Sequence, residues 1–196
     1  MGMPDKKEVY IVGGPNGAGK TTFVKQFLPN YVNVRNFVNA DDIASGLSPL
    51  DSTSMNITSG KLMLKMIGKY KKKGEPFGFE STLAGNKWLR MIQDLKGAGY
   101  LIYIFFLDLV SAELAVSRVK YRVETGGHDI PEETIRRRYV RSRRNFWYNY
   151  SQEVDGWYLF DNSTKAPKLI ANNIDQQLKV IDLKYLKVFE DTLGEG

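Results

Sequence analysis

A short stretch near the N-terminus has the spacing of a phosphate-binding loop. Residues 14–21 match the pattern G-x4-G-K-[ST], after a buried strand-like run and before a helical pattern. In such a loop, glycines let backbone N–H groups point at one anion, a lysine reaches the β- and γ-phosphates, and a hydroxyl binds Mg²⁺. A glycine-rich turn without a ligand is the alternative. The residues expected to hold the nucleotide are Gly14, Pro15, Asn16, Gly17, Ala18, Gly19, Lys20, Thr21 and Thr22, with Thr21 as the metal ligand.

Two aspartates follow the next short strand. Asp41 and Asp42 come after residues 36–40. If that strand lies beside the first, a carboxylate there faces the γ-phosphate and can take the proton of an attacking hydroxyl. Alternatively, Asp41 or Asp42 caps a helix that begins near Ile43. The spacing leaves both interpretations open.

Two further acidic residues end predicted strands. Glu80 ends residues 76–80, where it could hold a substrate hydroxyl or order the waters of Mg²⁺, or Ser81 or Thr82 could simply cap the next helix. Asp108 ends the apolar run 100–108. It resembles the aspartate that holds Mg²⁺ through water in P-loop enzymes, and it could equally be a turn residue.

Positive charge is concentrated in one segment. The chain has 28 Lys and Arg against 22 Asp and Glu, and residues 118–144 alone contain nine basic and four acidic residues. Arg118 and Arg122 are four apart and share a helix face, so they could clamp phosphates during transfer. The turn at Gly126, Gly127 and His128 could be the hinge of a lid. A solvated helix is the alternative for most of these arginines.

Aromatic residues follow the arginines at positions 146, 147, 148 and 150. Aromatic side chains beside basic ones can bind single-stranded nucleic acid. They can also pack in the core, which is the commoner arrangement.

Apolar runs alternate with helical periods along the chain, which predicts an α/β fold with a doubly wound, mostly parallel sheet. We expect one domain over residues 1–196, with a lid-like helical segment around 118–150. The predicted strands are residues 8–13, 36–40, 76–80, 100–108, 157–160 and 168–172, and the predicted helices are residues 19–27, 57–73, 87–95, 112–124, 131–150 and 185–192.

Composition excludes several classes of protein. The chain has no cysteine and one histidine, which excludes disulfide scaffolds, thiolate zinc sites and thiol nucleophiles. No N-K-x-D or S-G-G-Q motif of GTPases or transporter ATPases occurs. No apolar run is long enough to span a bilayer, so we expect a cytoplasmic protein without a membrane partner.

Six stretches, taken in order, resemble the zeta toxin family of P-loop kinases, particularly its short stand-alone members. They are residues 13–22 (GGPNGAGKTT), 38–43 (VNADDI), 79–85 (FESTLAG), 118–131 (RVKYRVETGGHDIP), 135–146 (IRRRYVRSRRNF) and 161–163 (DNS).

The resemblance implies a P-loop kinase fold, ATP and Mg²⁺, and phosphorylation of a small-molecule hydroxyl. The best-known substrate of the family is UDP-N-acetylglucosamine, and family toxins are held by an antitoxin. By motif position, Asp41 matches the catalytic base, Glu80 the substrate-binding acid and Arg118 a lid arginine. The turn at His128 occupies the position of a second lid arginine, for which Arg122 or Arg138 could substitute.

The sequence therefore predicts an ATP-dependent kinase. The expected catalytic residues are Lys20, Asp41, Arg118 and Arg122, and the expected substrate-binding residues are Asp41, Glu80, Thr82 and His128. A polynucleotide kinase or other nucleic-acid-directed enzyme, and an ATP-binding module with little transfer activity, are the alternatives. A nucleotide sugar is the expected acceptor, an antitoxin a possible partner, and nucleic acid a weaker candidate.

Overall fold

The computed structural model describes residues 6–49, 51, 53–127 and 129–194. The strands are β1 (Glu8–Gly13), β2 (Phe37–Val38), β3 (Phe77–Ser81), β4 (Leu101–Asp108), β5 (Gly156–Asp161), β6 (Lys168–Ile174) and β7 (Gln177–Val180). They form one seven-stranded sheet in the order β2-β3-β1-β4-β5-β6-β7. Strands β1 to β5 are parallel to one another, β6 is antiparallel to β5, and β7 is antiparallel to β6.

Helices cover both faces of this sheet. They are α1 (Lys20–Gln26), α2 (Ala40–Leu47), α3 (Asn56–Lys73), α4 (Lys87–Gly97), α5 (Ala112–Glu124), α6 (Glu132–Asn145), α7 (Ser151–Glu153) and α8 (Leu183–Asp191). None of the helices in the described part of the chain has the length and apolar character needed to cross a membrane.

The alternating side chains of β1 enter two separate cores. Val9 and Ile11 pack with residues of α3, α4 and α8, whereas Tyr10 and Val12 pack with residues of α1, α5 and α6. Side chains of a strand alternate between faces, so a strand buried on both sides needs an uninterrupted apolar run. The doubly wound, mostly parallel sheet predicted from the sequence is confirmed.

The register of the central strands fixes what lies at their carboxyl ends. Gly13, the last residue of β1, pairs with Ser81 of β3 on one side and Phe106 of β4 on the other. Residues 14–21 therefore start beside the end of the strand that carries Glu80.

The helix predicted over residues 131–150 is present, but it is not α-helical throughout. The α-helix ends at Asn145, and a π-helix follows over Phe146–Tyr150. Phe146 and Tyr150 join the core of α3 and α4, while Ile135 of α6 belongs to the opposite core, so this helical segment passes from one face of the sheet to the other.

The aromatic cluster is mainly core packing. The Phe146 ring stacks on Phe106 with centroids 4.2 Å apart, and Trp147 contacts Trp157 and Phe189 edge-on. Only Tyr148 of the four is exposed. The stacked aromatic platform that single-stranded nucleic acid needs is not formed by these described residues.

Other elements also differ from the prediction, and β2 is only the two residues Phe37–Val38 of the predicted 36–40. Helix α2 begins at Ala40 rather than near Ile43. Strand β6 continues to Ile174, and β7 was not predicted. All four residues of β7 are exposed, so no buried apolar face marks this edge strand in the sequence.

Asp108 lies in a buried ion pair. Its Oδ1 accepts a hydrogen bond of 2.9 Å from Nε of Arg143, and its Oδ2 accepts one of 3.1 Å from the Tyr185 hydroxyl. Burial raises the pKa of Asp108 to about 6, against the opposing charge of Arg143. Its partners belong to α6 and α8, and it does not line the cavity that contains Thr21. The geometry favours a structural role over the magnesium interpretation.

Replacing Arg143 by alanine would leave the buried Asp108 carboxylate without its cation. We expect the free energy of unfolding, measured by urea titration, to fall by about 3–5 kcal/mol.

The matched control is Arg136→Ala on the same helix. Arg136 pairs with Glu113 and Glu132 at the surface, so we expect a much smaller loss. Equal losses in the two variants would contradict the assignment of Arg143 and Asp108 as a structural pair.

Candidate active site

The loop after β1 has the backbone of a phosphate cradle. Gly14 has a φ of 141°, and a Cβ there would lie 2.3 Å from the carbonyl oxygen of Leu107. Gly19 has a φ of 77° and precedes the first turn of α1. Only glycine adopts both conformations freely, and the N-terminus of α1 directs its unpaired N–H groups at the loop.

Lys20 is held against this loop. Its Nζ donates to the carbonyl oxygens of Gly14 at 3.0 Å and Pro15 at 2.9 Å. Burial lowers the pKa of the Lys20 ammonium, and the charges of Glu80 and Asp41 oppose that shift. Phosphate oxygens within the loop would offer the ammonium stronger partners than these two carbonyls.

Glu80, Thr21 and Asn39 form a hydrogen-bonded triangle. The Thr21 hydroxyl lies 3.3 Å from Glu80 Oε1, and Asn39 Nδ2 donates to Glu80 Oε2 at 2.8 Å. Burial raises the pKa of Glu80, whereas the Lys20 charge and the Thr21 hydroxyl lower it. This site accordingly places a carboxylate next to the hydroxyl that the sequence predicts as a metal ligand.

Asn39, rather than either aspartate, caps α2. Its side-chain oxygen accepts from the backbone N–H of Asp41 at 2.8 Å. The capping interpretation of Asp41 and Asp42 is therefore wrong, because both lie within the first turn. Both side chains are exposed, and Asp41 alone of the two lines the cavity described next.

One cavity of about 830 Å³ brings most of the predicted residues together. Gly14, Pro15 and Ala18 are not among its lining residues and are buried behind them. His128 lies outside the described residues. The predicted residues that line the cavity are Asn16, Gly17, Gly19, Lys20, Thr21, Thr22, Asp41, Glu80, Thr82, Arg118 and Arg122.

Arg118 already has partners in this structure. Its terminal nitrogens donate to the carbonyl oxygens of Asn162 and Ser163, both at 2.8 Å. Asn162 in turn donates from Nδ2 to the carbonyl oxygen of Ala18 at 2.7 Å. Arg118 thus ties α5 to the end of β5 and, through Asn162, to the phosphate loop.

Helix α6 contributes two arginines to the same cavity. Arg137 and Arg138 both line it, and Arg138 Nη1 lies 3.3 Å from Asn16 Oδ1. Together with Arg118 and Arg122, they bring four arginine side chains to the cavity lining. Both candidates for the second lid arginine, Arg122 and Arg138, thus line the cavity.

Sequence reasoning missed several lining residues. Asn39 was not predicted as a site residue, although asparagine is among the residues preferred for capping the start of a helix. Lys87, Trp88 and Met63 also line the cavity, and nothing in their local pattern marks them. Helices α3 and α4 bring them there.

The donors at this site suit Mg²⁺. Hard oxygen ligands are available from the Thr21 hydroxyl and the Glu80 carboxylate. The described residues contain no group of three or more acidic or histidine side chains placed to hold a metal. Mg²⁺ in nucleotide enzymes needs no such group, because it takes one or two protein ligands and completes its shell with phosphate oxygens and water.

The sequence also matches known proteins. The zeta toxin family model matches residues 3–167. An uncharacterised protein of Haemophilus influenzae is 29% identical over 137 residues, which are 70% of this chain and 94% of that protein.

Solved structures share the fold. A chain of the AvrRxo1-ORF1:AvrRxo1-ORF2 complex with sulphate ions superposes with a TM-score of 0.74 at 18% identity, over 94% of this chain but only 64% of that one. A chain of the PezAT toxin-antitoxin system of Streptococcus pneumoniae superposes with a TM-score of 0.65 at 16% identity, over 99% and 88%. The predicted P-loop kinase fold is confirmed.

Replacing Lys20 by methionine keeps the length of the side chain and removes its charge. We expect ATP affinity, measured by calorimetric titration, to fall at least about tenfold, because a charge-assisted contact to phosphate is lost.

Lys25→Met is the control, since Lys25 is exposed in the last turn of the same helix. A Lys20→Met protein that binds ATP as tightly as the Lys25→Met protein would rule out this loop as the phosphate site.

Proposed function

The chain belongs to the zeta toxin family of P-loop kinases, and we propose that it transfers the γ-phosphoryl group of ATP to a hydroxyl group of a small molecule. The observation that carries this proposal is the single cavity lined by Lys20, Thr21, Asp41 and Glu80. A phosphate cradle and two carboxylates on one cavity are the parts that phosphoryl transfer to an alcohol requires.

On the donor side, the backbone N–H groups of residues 14–21, apart from Pro15, which has none, and the Lys20 ammonium hold the β- and γ-phosphates. The Thr21 hydroxyl, with Glu80 beside it, would hold Mg²⁺. When bound, the metal neutralises charge on the phosphate oxygens. The residues themselves orient the γ-phosphoryl group toward the side of the cavity where Asp41 lies.

On the acceptor side, Asp41 is the proposed base. Its carboxylate takes the proton of the acceptor hydroxyl as that oxygen bonds to the γ-phosphorus, and the bond from phosphorus to the bridging oxygen of ADP breaks. An exposed carboxylate in the first turn of a helix is accessible to a substrate. Glu80 and Thr82 position the acceptor.

Arginines stabilise the transferring group. Arg122 and Arg138 line the cavity, and their charge would offset the negative charge that develops on the phosphoryl oxygens. Arg118 would join them by exchanging its two carbonyl partners for phosphate oxygens.

The acceptor that we propose is a nucleotide sugar such as UDP-N-acetylglucosamine. Lys87 and Arg137 line the same cavity, and two more cations suit an acceptor that carries its own phosphates. ATP and nucleotide sugars are cytoplasmic compounds, so we place the activity in the cytoplasm. The AvrRxo1 structure contains a complex of two proteins, and the PezAT structure comes from a toxin-antitoxin system. Both support an antitoxin that covers the cavity as a candidate partner.

Mass spectrometry tests this function directly. The protein is incubated with ATP, Mg²⁺ and a panel of nucleotide sugars, and we expect one acceptor to gain a single phosphoryl group. A panel of RNA and DNA oligonucleotides runs in parallel. Phosphate transfer to an oligonucleotide, with binding that weakens steeply with salt, would replace our proposal with a polynucleotide kinase.

Asp41→Asn tests the assignment of the base. The amide cannot accept the proton, so we expect the transfer rate to fall by about 100- to 10,000-fold while ATP affinity stays nearly unchanged. Rates are measured by single-turnover phosphate transfer.

Asp42→Asn is the matched control, because Asp42 lies in the same helix turn but does not line the cavity. We expect it to retain transfer. Full activity in the Asp41→Asn protein would remove Asp41 from the mechanism.

A further inference from the structure

Asn39 contacts both sides of the candidate active site. It follows β2 and precedes α2, and only 7% of its surface is exposed. Its oxygen accepts from the N–H of Asp41 at 2.8 Å, and its Nδ2 donates to Glu80 Oε2 at 2.8 Å. The same Nδ2 lies 3.5 Å from the Thr21 hydroxyl. The Asn39 amide thus contacts the helix that carries Asp41 and the side chain of Glu80.

The chemistry of the amide explains why both contacts can coexist. A primary amide has an acceptor oxygen and two N–H donors at opposite ends of one planar group. Serine and aspartate match asparagine as helix caps, because capping needs only an acceptor. A serine side chain is too short to donate to Glu80 while it caps the helix, and an ionised aspartate has no hydrogen to donate. Neither residue therefore supplies the second contact, the hydrogen bond to Glu80.

The donated hydrogen bond acts on a carboxylate that has competing partners. Lys20 of α1 and Asp41 and Asp42 of α2 act on Glu80 through their charges, and the Thr21 hydroxyl bonds to its other oxygen. Without the Asn39 donor, attraction to Lys20 and repulsion from α2 would determine where the carboxylate lies. The hydrogen bond to Oε2 fixes its orientation relative to Thr21.

We propose that Asn39 is a positioning residue that fixes Asp41 and Glu80 relative to each other, and so aligns the proton acceptor with the carboxylate beside the phosphate and metal subsite. Its capping contact sets the first turn that carries Asp41, and its donated contact sets Glu80. The catalytic part of this inference rests on the proposed kinase function.

Three substitutions separate the two contacts. Asn39→Ser keeps a cap acceptor and loses the donor to Glu80. Asn39→Asp also keeps the cap but places a second carboxylate against Glu80. Asn39→Ala loses both contacts. The matched control is Asn36→Ser, because Asn36 makes a comparable amide bond, from Nδ2 to the carbonyl oxygen of Pro76 at 3.1 Å, away from the cavity lining.

Two properties of each variant are measured in addition to its thermal unfolding. The first is kcat and KM for phosphoryl transfer. The second is the ratio of ATP dissociation constants without and with Mg²⁺, which needs no transfer reaction. For Asn39→Ser we expect a fall of about 10- to 100-fold in kcat, a clearly smaller Mg²⁺ ratio, and a Tm like that of Asn36→Ser. Asn39→Asp should lose at least as much kcat, and its Tm should fall, because two carboxylates would then share a largely buried site.

Other results would overturn the inference. One is an Asn39→Ser protein that keeps the wild-type kcat and Mg²⁺ ratio. The other is an Asn36→Ser protein that shows the same losses as Asn39→Ser, which would make the role of Asn39 merely structural. If Asn39→Ser does not fold, Asn39→Thr, which also keeps a cap acceptor and lacks the amide donor, decides by the same criteria. If the wild-type protein transfers phosphate to no acceptor, the kinase proposal fails, and the Mg²⁺ ratio alone then decides whether Asn39 positions Glu80.

Discussion

The site depends on the pairing of β1 between β3 and β4. That register places Gly13 beside Ser81 and Phe106, so the loop that follows is confined between the ends of two neighbouring strands. The loop backbone passes so close to Leu107 that position 14 has no room for a side chain. Residues 14–21 are therefore presented to a ligand in one conformation, which lowers the cost of organising a phosphate site. The contributions of α1, β2 and β3 to the cavity all follow from this arrangement.

Electrostatics then decides how the cavity is used. Lys20 and Glu80 are both partly buried, and the loss of solvation shifts their pKa values in opposite directions, toward the neutral form of each. Each charge opposes the shift of the other, which is the expected behaviour of a cation and an anion that share a desolvated site. The Asn39 and Thr21 contacts add hydrogen bonds to the carboxylate. A phosphate and metal pair entering this cavity would meet charges that are already oriented.

The phosphate loop and the parallel sheet were predictable because their signals are local: glycine spacing and uninterrupted apolar runs. Features that depend on distant partners were not. Asp108 ends an apolar strand like a metal-binding aspartate, yet Arg143 and Tyr185 from later helices take its oxygens. Arg118 looked like a free phosphate clamp, but carbonyl groups of a distant strand end bind it. The role of Asn39 lay in a contact across strands, which spacing along one chain segment does not reveal.

A crystal structure with Mg²⁺ and a non-hydrolysable ATP analogue tests the central claim most directly. We expect the β- and γ-phosphates within residues 14–21, Lys20 Nζ moved from the carbonyl oxygens to the phosphates, Mg²⁺ at the Thr21 hydroxyl, and the γ-phosphate facing Asp41 across the same cavity. A nucleotide bound elsewhere, or a γ-phosphate that points away from Asp41, would contradict this assignment.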